Sequence, residues 1–148
     1  MEPLHGTYAL ILRGQRRSSI QVGRWREIRV EPGYYLYVGS AFGPGGIRAR
    51  INRHGRRTKT RHWHIDYLRE VAVVLAAWIS HEPVRLEHVW ARALCSFEGV
   101  VEVPGFGCTD CNCLSHLFFS PDAPCFDLYT GILEGRIVEW NYENKVWV

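Results

Sequence analysis

Tyr8, Tyr37, Arg50, His54 and Glu87 are the side chains of this 148-residue chain whose types and spacing could hold and hydrolyse a phosphodiester. Tyr8 closes the tripeptide Gly6-Thr7-Tyr8 and Tyr37 opens Tyr37-Val38-Gly39, each in a β-prone run, and an arginine-loaded segment with Arg50 and His54 follows. A guanidinium can donate two parallel hydrogen bonds to phosphate oxygens, and an imidazole titrates near neutrality. The plain alternative for the tyrosines is sheet filling, with each hydroxyl satisfied at the sheet edge.

Charge supports a phosphate partner. Residues 1–61 carry 13 of the 18 Lys and Arg but 3 of the 15 Asp and Glu, a net +10 that leaves −7 for the remainder. Such a field attracts phosphate, although a basic run is equally a solvated face. The expected nucleic-acid contacts are Arg48, Arg53, Arg56, Arg57, Lys59, Arg61, His62 and His64. Of these, Arg48, Arg53 and Arg56 are expected on the outer side of their helix.

The elements that must position these groups can be read from periodicity. Gly6 to Leu12 and Tyr34 to Ser40 predict two core strands, with Ile20 to Val22 and Glu27 to Val30 as a short hairpin between them. Gly43-Pro44-Gly45-Gly46 opens a helix near Ile47, and its amides could bind an anion. In that helix Ile47, Arg50, Ile51 and His54 follow the i, i+3, i+4, i+7 pattern, so Arg50 and His54 point with the core residues. A short helix through about Glu70 and a buried strand, Val71 to Ser80, come next.

Pro83 is expected to open a helix striped by Leu86, Val89, Trp90, Ala93 and Leu94, with Glu87 on its margin as the acid best placed to reach a cleft. Ser96 to Pro104 predicts a strand, and Phe126 to Tyr129 with Arg136 to Tyr142 predict a closing β-hairpin. The length suits one domain over residues 1–148.

Five cysteines, an odd number, fit a reducing compartment. No apolar run reaches the roughly 18 residues of a membrane span, so a cytoplasmic protein without a membrane partner is expected. Cys108, Cys111, Cys113 and His116 are close enough to hold a structural Zn²⁺, yet their spacing matches no common zinc module and buried thiols in a tight turn explain them as well.

In their order along the chain these motifs resemble the GIY-YIG endonuclease domain, in its Uri subgroup, also called domain of unknown function 123. Further matches are Gly33-Tyr34-Tyr35, Gly43-Pro44-Gly45-Gly46, Arg61-His62-Trp63-His64-Ile65-Asp66-Tyr67-Leu68, Asp110-Cys111 and Ser115-His116-Leu117-Phe118. The chain departs from the usual pattern in the long spacing between tripeptides, in Thr7 for isoleucine, and in a glutamate helix with no asparagine close behind.

The resemblance implies a metal-dependent endonuclease that hydrolyses nucleic-acid phosphodiesters, DNA before RNA. Glu87 would hold Mg²⁺ or Mn²⁺ and Arg50 the scissile phosphate. Tyr8 would activate or orient water, Tyr37 would bond the phosphate or Tyr8, and His54 would serve as base or position Tyr8. The expected fold is an α/β (α+β) sandwich, a small, mainly antiparallel sheet bearing the tripeptides, flanked by the Arg50 and Glu87 helices, with a C-terminal β-hairpin. A non-catalytic nucleic-acid-binding module on the same fold is the alternative, and a zinc-stabilised interaction domain a third. The residues leave oligomeric state and a DNA-repair protein partner open.

Overall fold

The computed structural model describes residues 4–56, 60–108 and 115–147. Strands β1 (Gly6–Gly14) and β4 (Gly33–Ala41) run antiparallel side by side, with Tyr8 opposite Gly39 and Leu10 opposite Tyr37. Between them in sequence, β2 (Ser18–Val22) and β3 (Arg26–Val30) form a separate hairpin. Helix α1 (Gly46–Gly55) and the short α2 (His64–Leu68) then lead to β5 (Ala72–Ser80), which pairs antiparallel with the other side of β1.

Helix α3 (Glu87–Cys95) precedes β6 (Val101–Glu102), β7 (Leu117–Ser120), α4 (Phe126–Thr130), β8 (Val138–Asn141) and β9 (Val146–Trp147). The main sheet is seven-stranded, ordered β6-β7-β4-β1-β5-β8-β9, and every pairing in it is antiparallel. The expected antiparallel sheet flanked by helices, with a C-terminal hairpin, is therefore the observed architecture.

Strand β1 is buried at every position but Arg13 because both of its faces are covered. Side chains alternate between those faces. Tyr8, Leu10 and Leu12 pack with Ile47 and Ile51 of α1, Ile65 and Leu68 of α2, and Val22 and Ile28 of the small hairpin. Ala9 and Ile11 pack with Leu36 and Val38 of β4, Trp78 of β5 and Trp90 and Leu94 of α3.

Three predicted elements differ. Residues 81–85 are exposed and Leu86 is the first buried residue, so burial and not Pro83 sets the start of α3. Of Ser96 to Pro104 only Val101–Glu102 is a strand, because α3 continues to Cys95 and a turn follows. Phe126 to Tyr129 is helical, because Phe126 and Tyr129, one turn apart, both lean on Trp78, at ring distances of 5.7 and 5.6 Å. The C-terminal hairpin is built by β8 and β9 instead. Among the described residues no helix is long and apolar enough to cross a membrane.

Candidate active site

The site forms where the two tripeptides lie side by side. Tyr8 and Tyr37 occupy diagonal positions on one face of the β1–β4 pair. Opposite Tyr8 stands Gly39, and a Cβ there would collide with the Tyr8 hydroxyl, so the glycine of the second tripeptide makes room for the phenol of the first.

The Tyr8 hydroxyl bonds His54 Nε2 at 2.8 Å, and both residues are buried. The Tyr37 ring approaches His54 edge-on at 6.3 Å. His54 reaches this point from the fourth position of the inward face of α1, as its periodicity predicts.

Carbonyls at the end of α1 are satisfied by buried Arg69, whose guanidinium donates to His54 O (2.8 Å) and Gly55 O (3.4 Å), and also to Ala72 O (2.6 Å) at the start of β5. A cation at a helix C-terminus also complements the helix dipole. Sequence reading passed over Arg69, whose role depends on a contact 15 residues away.

Burial pushes the Tyr8 phenol well above its ordinary value, against the lowering effect of Arg50, whose charge and hydrogen bond both favour the phenolate. Tyr37 is raised for the same first reason, and the neighbouring Tyr8 and Glu87 raise it further. Both phenols are therefore protonated at neutral pH. Tyr8, Tyr37 and His54 are in contact, and the charges of Arg50 and Glu87 reach both phenols.

Arg50 sits at the edge of β4 that, among the described residues, has no strand partner beyond Val38. Strand β7 pairs with β4 only as far as Tyr37–Leu117, followed by the bond Val38 N–H to His116 O at 2.9 Å. In an antiparallel strand, groups two residues apart face the same side, so Ser40 O also points to that edge. The Arg50 guanidinium donates to Ser40 O at 3.1 Å and lies 4.4 Å over the Trp63 ring. It is half-buried at the rim, neither sunk in the core nor extended into solvent.

Glu87 arrives at the same edge from the other layer. Buried Thr7 accepts the Leu86 backbone N–H at 3.0 Å and so anchors the first turn of α3 to β1. This gives the departure from isoleucine a structural reason. The Glu87 carboxylate stands 3.7 Å from His116 Nδ1, which also lies 3.3 Å from Val38 O. The His88 ring packs edge-on to His116 at 5.7 Å.

Burial lowers the His116 pKa, opposed by the Glu87 charge. The ring faces Glu87 and β4, which attaches His116 to the cleft. Cys108 directs its thiol to Phe106 O at 3.6 Å, while Cys111 and Cys113 lie outside the described residues. Among the described residues no three His, Cys, Asp or Glu side chains gather as a metal cage. The sign of His116 in the sequence was its place in the Ser115-His116-Leu117-Phe118 block. Ser115 Oγ accepts the Leu117 N–H at 2.9 Å and fixes the turn that carries it.

The expected nucleic-acid contacts divide. Arg48, Arg56, Arg61 and His62 are exposed, with Arg61 paired to Glu70 at 3.0 Å. Arg53 is not on the outer side. It grips buried Asp66 with two hydrogen bonds of 2.8 Å, 4.2 Å over Trp63, because α2 packs against that flank of α1.

His64 also turns inward. Its Nδ1 accepts the Gly107 N–H at 2.9 Å, its ring stacks on Trp25, and burial lowers its pKa. Arg57 and Lys59 lie outside the described residues. In the glycine loop the Gly46 and Ile47 amides are already bonded, to Gly43 O and Leu4 O, which leaves less of an anion cradle than predicted.

Residues 7–133 match the family described as a domain of unknown function, DUF123, and the chain belongs to that family. The match takes in Thr7 and Tyr8 of the first tripeptide, the whole of the second, α1, α2, α3 and β7, and ends before the β8–β9 hairpin. No curated protein and no solved structure matches the chain.

Proposed function

We propose that this protein is a metal-dependent endonuclease of the GIY-YIG type, in its Uri subgroup, that hydrolyses nucleic-acid phosphodiesters, with DNA as the first substrate to test. The observation that carries this reading is the meeting of Arg50, the Tyr8–His54 pair and Glu87 around the end of β4 beyond Val38.

Arg50, oriented by Ser40 O and Trp63, donates to the non-bridging oxygens of the scissile phosphate and stabilises the charge that develops there. Burial makes an isolated Tyr8 phenolate inaccessible at neutral pH. The phenol oxygen therefore takes a proton from the attacking water as its own proton passes to His54 Nε2, and no free phenolate is needed. Tyr37 lies beside this pair and bonds the phosphate.

Glu87 would hold the divalent cation, Mg²⁺ or Mn²⁺, which when bound stabilises the leaving oxygen. The donor set fits. A single, partly exposed carboxylate suits a hard ion that keeps most of its water ligands.

With Mg²⁺ or Mn²⁺ the protein is expected to cut branched, nicked or duplex DNA, and Arg50→Ala and Glu87→Ala each to slow cleavage by about 10²–10³-fold. Intact DNA with wild type, or variants as active as wild type, would overturn the proposal. The exposed Arg48, Arg56 and Arg61 favour a second reading, a non-catalytic nucleic-acid-binding module. Salt-sensitive binding that is indifferent to Glu87→Ala, without turnover, would mark it.

A further inference from the structure

The β2–β3 hairpin fills the long interval between the two tripeptides and ends in Arg24-Trp25-Arg26. Its strands are anchored along their length, with Val22, Ile28 and Val30 buried in the core on the α2 side of the sheet. Its tip is held by aromatic contacts. The Trp25 ring stacks on His64 at 4.7 Å and 15°, and meets Phe106 edge-on at 5.9 Å. Phe106 in turn meets Tyr37 of the cleft at 6.1 Å.

Arg26 covers the Trp25 ring, 4.2 Å from its centre, and donates through Nη2 to Pro104 O. A guanidinium has five N–H donors, so most of its capacity is unspent. Arg24 and Arg26 are both exposed, and neither is ion-paired among the described residues.

His64 follows Trp63, the ring under Arg50. Trp25, stacked on His64, thus orients Arg26, and Trp63, the residue before His64, orients Arg50. A prefixed guanidinium loses less side-chain freedom on binding a phosphate than a loose one. Two fixed cations on one layer, beside exposed Arg48, Arg56 and Arg61, fit a ligand that repeats its phosphates, which is a nucleic-acid backbone.

We propose that the hairpin tip is a second phosphate-binding point, where Arg24 and Arg26 hold the nucleic-acid backbone beside the phosphate engaged by Arg50. This rests on the reading of the cleft as a nucleic-acid site. The test measures the affinity of a fluorescent DNA duplex against salt concentration. Arg24→Gln with Arg26→Gln is expected to lower the slope of log affinity on log salt by about 1.8, since each neutralised phosphate contributes about 0.9.

Arg26→Lys keeps the charge and is expected to keep its share of the slope. Arg92→Gln, exposed on α3, is expected to leave it unchanged. A double variant with the wild-type slope, or an Arg26→Lys variant as impaired as Arg26→Gln, would overturn the proposal. Wild type that binds with the hairpin-dependent slope but never cuts would overturn the nuclease reading and leave the hairpin site standing. Wild type that cuts with a hairpin-independent slope would do the reverse.

Discussion

The two faces of the β1–β4 pair differ in kind, although one alternating sequence supplies both. Toward α1 and α2 the sheet presents Tyr8, Tyr35 and Tyr37, and the layer above buries His54, Asp66 and Arg69. Toward α3 and α4 it presents Ala9, Ile11, Leu36 and Val38 against Trp78, Trp90 and Leu94. Buried polar groups cost stability unless each has a partner. On the first face such partners are Tyr8–His54, Arg53–Asp66 and Arg69 on the α1 carbonyls. The second face needs no such network. It contributes apolar burial and carries Glu87, which stands beside His116 at the β4 edge.

The largest break in this division is expected from the apolar side. Trp90 is fully buried, and its indole N–H donates to Glu134 O at 2.8 Å. Trp90→Ala is expected to cost about 3–5 kcal/mol through the cavity it leaves, read as a fall in the denaturant midpoint. If the apolar face is the main source of stability, the variant is partly unfolded near physiological temperature; a loss below about 1 kcal/mol, the size of an ordinary substitution, would refute that role.

A smaller loss, confined to the polar face, is expected in acid. Burial alone would raise the Asp66 carboxyl, but the Arg53 hydrogen bond and the Trp63 and His62 backbone N–H groups pull it down to about 2. A folded pKa below the unfolded value of about 4 contributes stability that is present above that pH and lost as pH falls toward 2. The shift corresponds to about 2 kcal/mol. Unfolding midpoints between pH 5 and 2 should therefore fall more steeply in wild type than in Asp66→Asn. Parallel profiles would remove Asp66 as an acid-sensitive tie between α1 and α2.

The two faces were unequally legible in the sequence. β1 and β4 stood out because a strand covered on both sides reads as a near-continuous apolar run, and the α1 spacing correctly turned Ile47, Ile51 and His54 inward. The same spacing could not show that Arg53 would face Asp66, since that pair forms only once α2 packs across 13 residues of chain. His116 was hidden for a similar reason. Cys111 and Cys113 lie a few positions before it in sequence, while its neighbours in space are Glu87 and Val38. The four-residue β7, and a helix at Phe126–Thr130 built on contacts to Trp78, lack a local period long enough to read. Side chains within one element were thus predictable, and pairings between elements were not.

The finest test addresses the place where the faces connect. Thr7 lies among apolar neighbours on the α3 side, and its hydroxyl takes the Leu86 N–H, the residue before Glu87. Thr7→Val keeps the shape and removes the acceptor, leaving a buried N–H unpaired at a cost of about 1–3 kcal/mol. Because the lost bond anchors the turn that carries Glu87, cleavage is expected to fall by more than the loss of folded protein explains, with the deficit eased by raising Mg²⁺. Binding of a DNA duplex without metal should stay near wild type, since the arginines belong to the other face. If stability falls and metal-dependent cleavage per folded molecule does not, Thr7 only staples α3 to the sheet, and the apolar face supports the site without setting the position of Glu87.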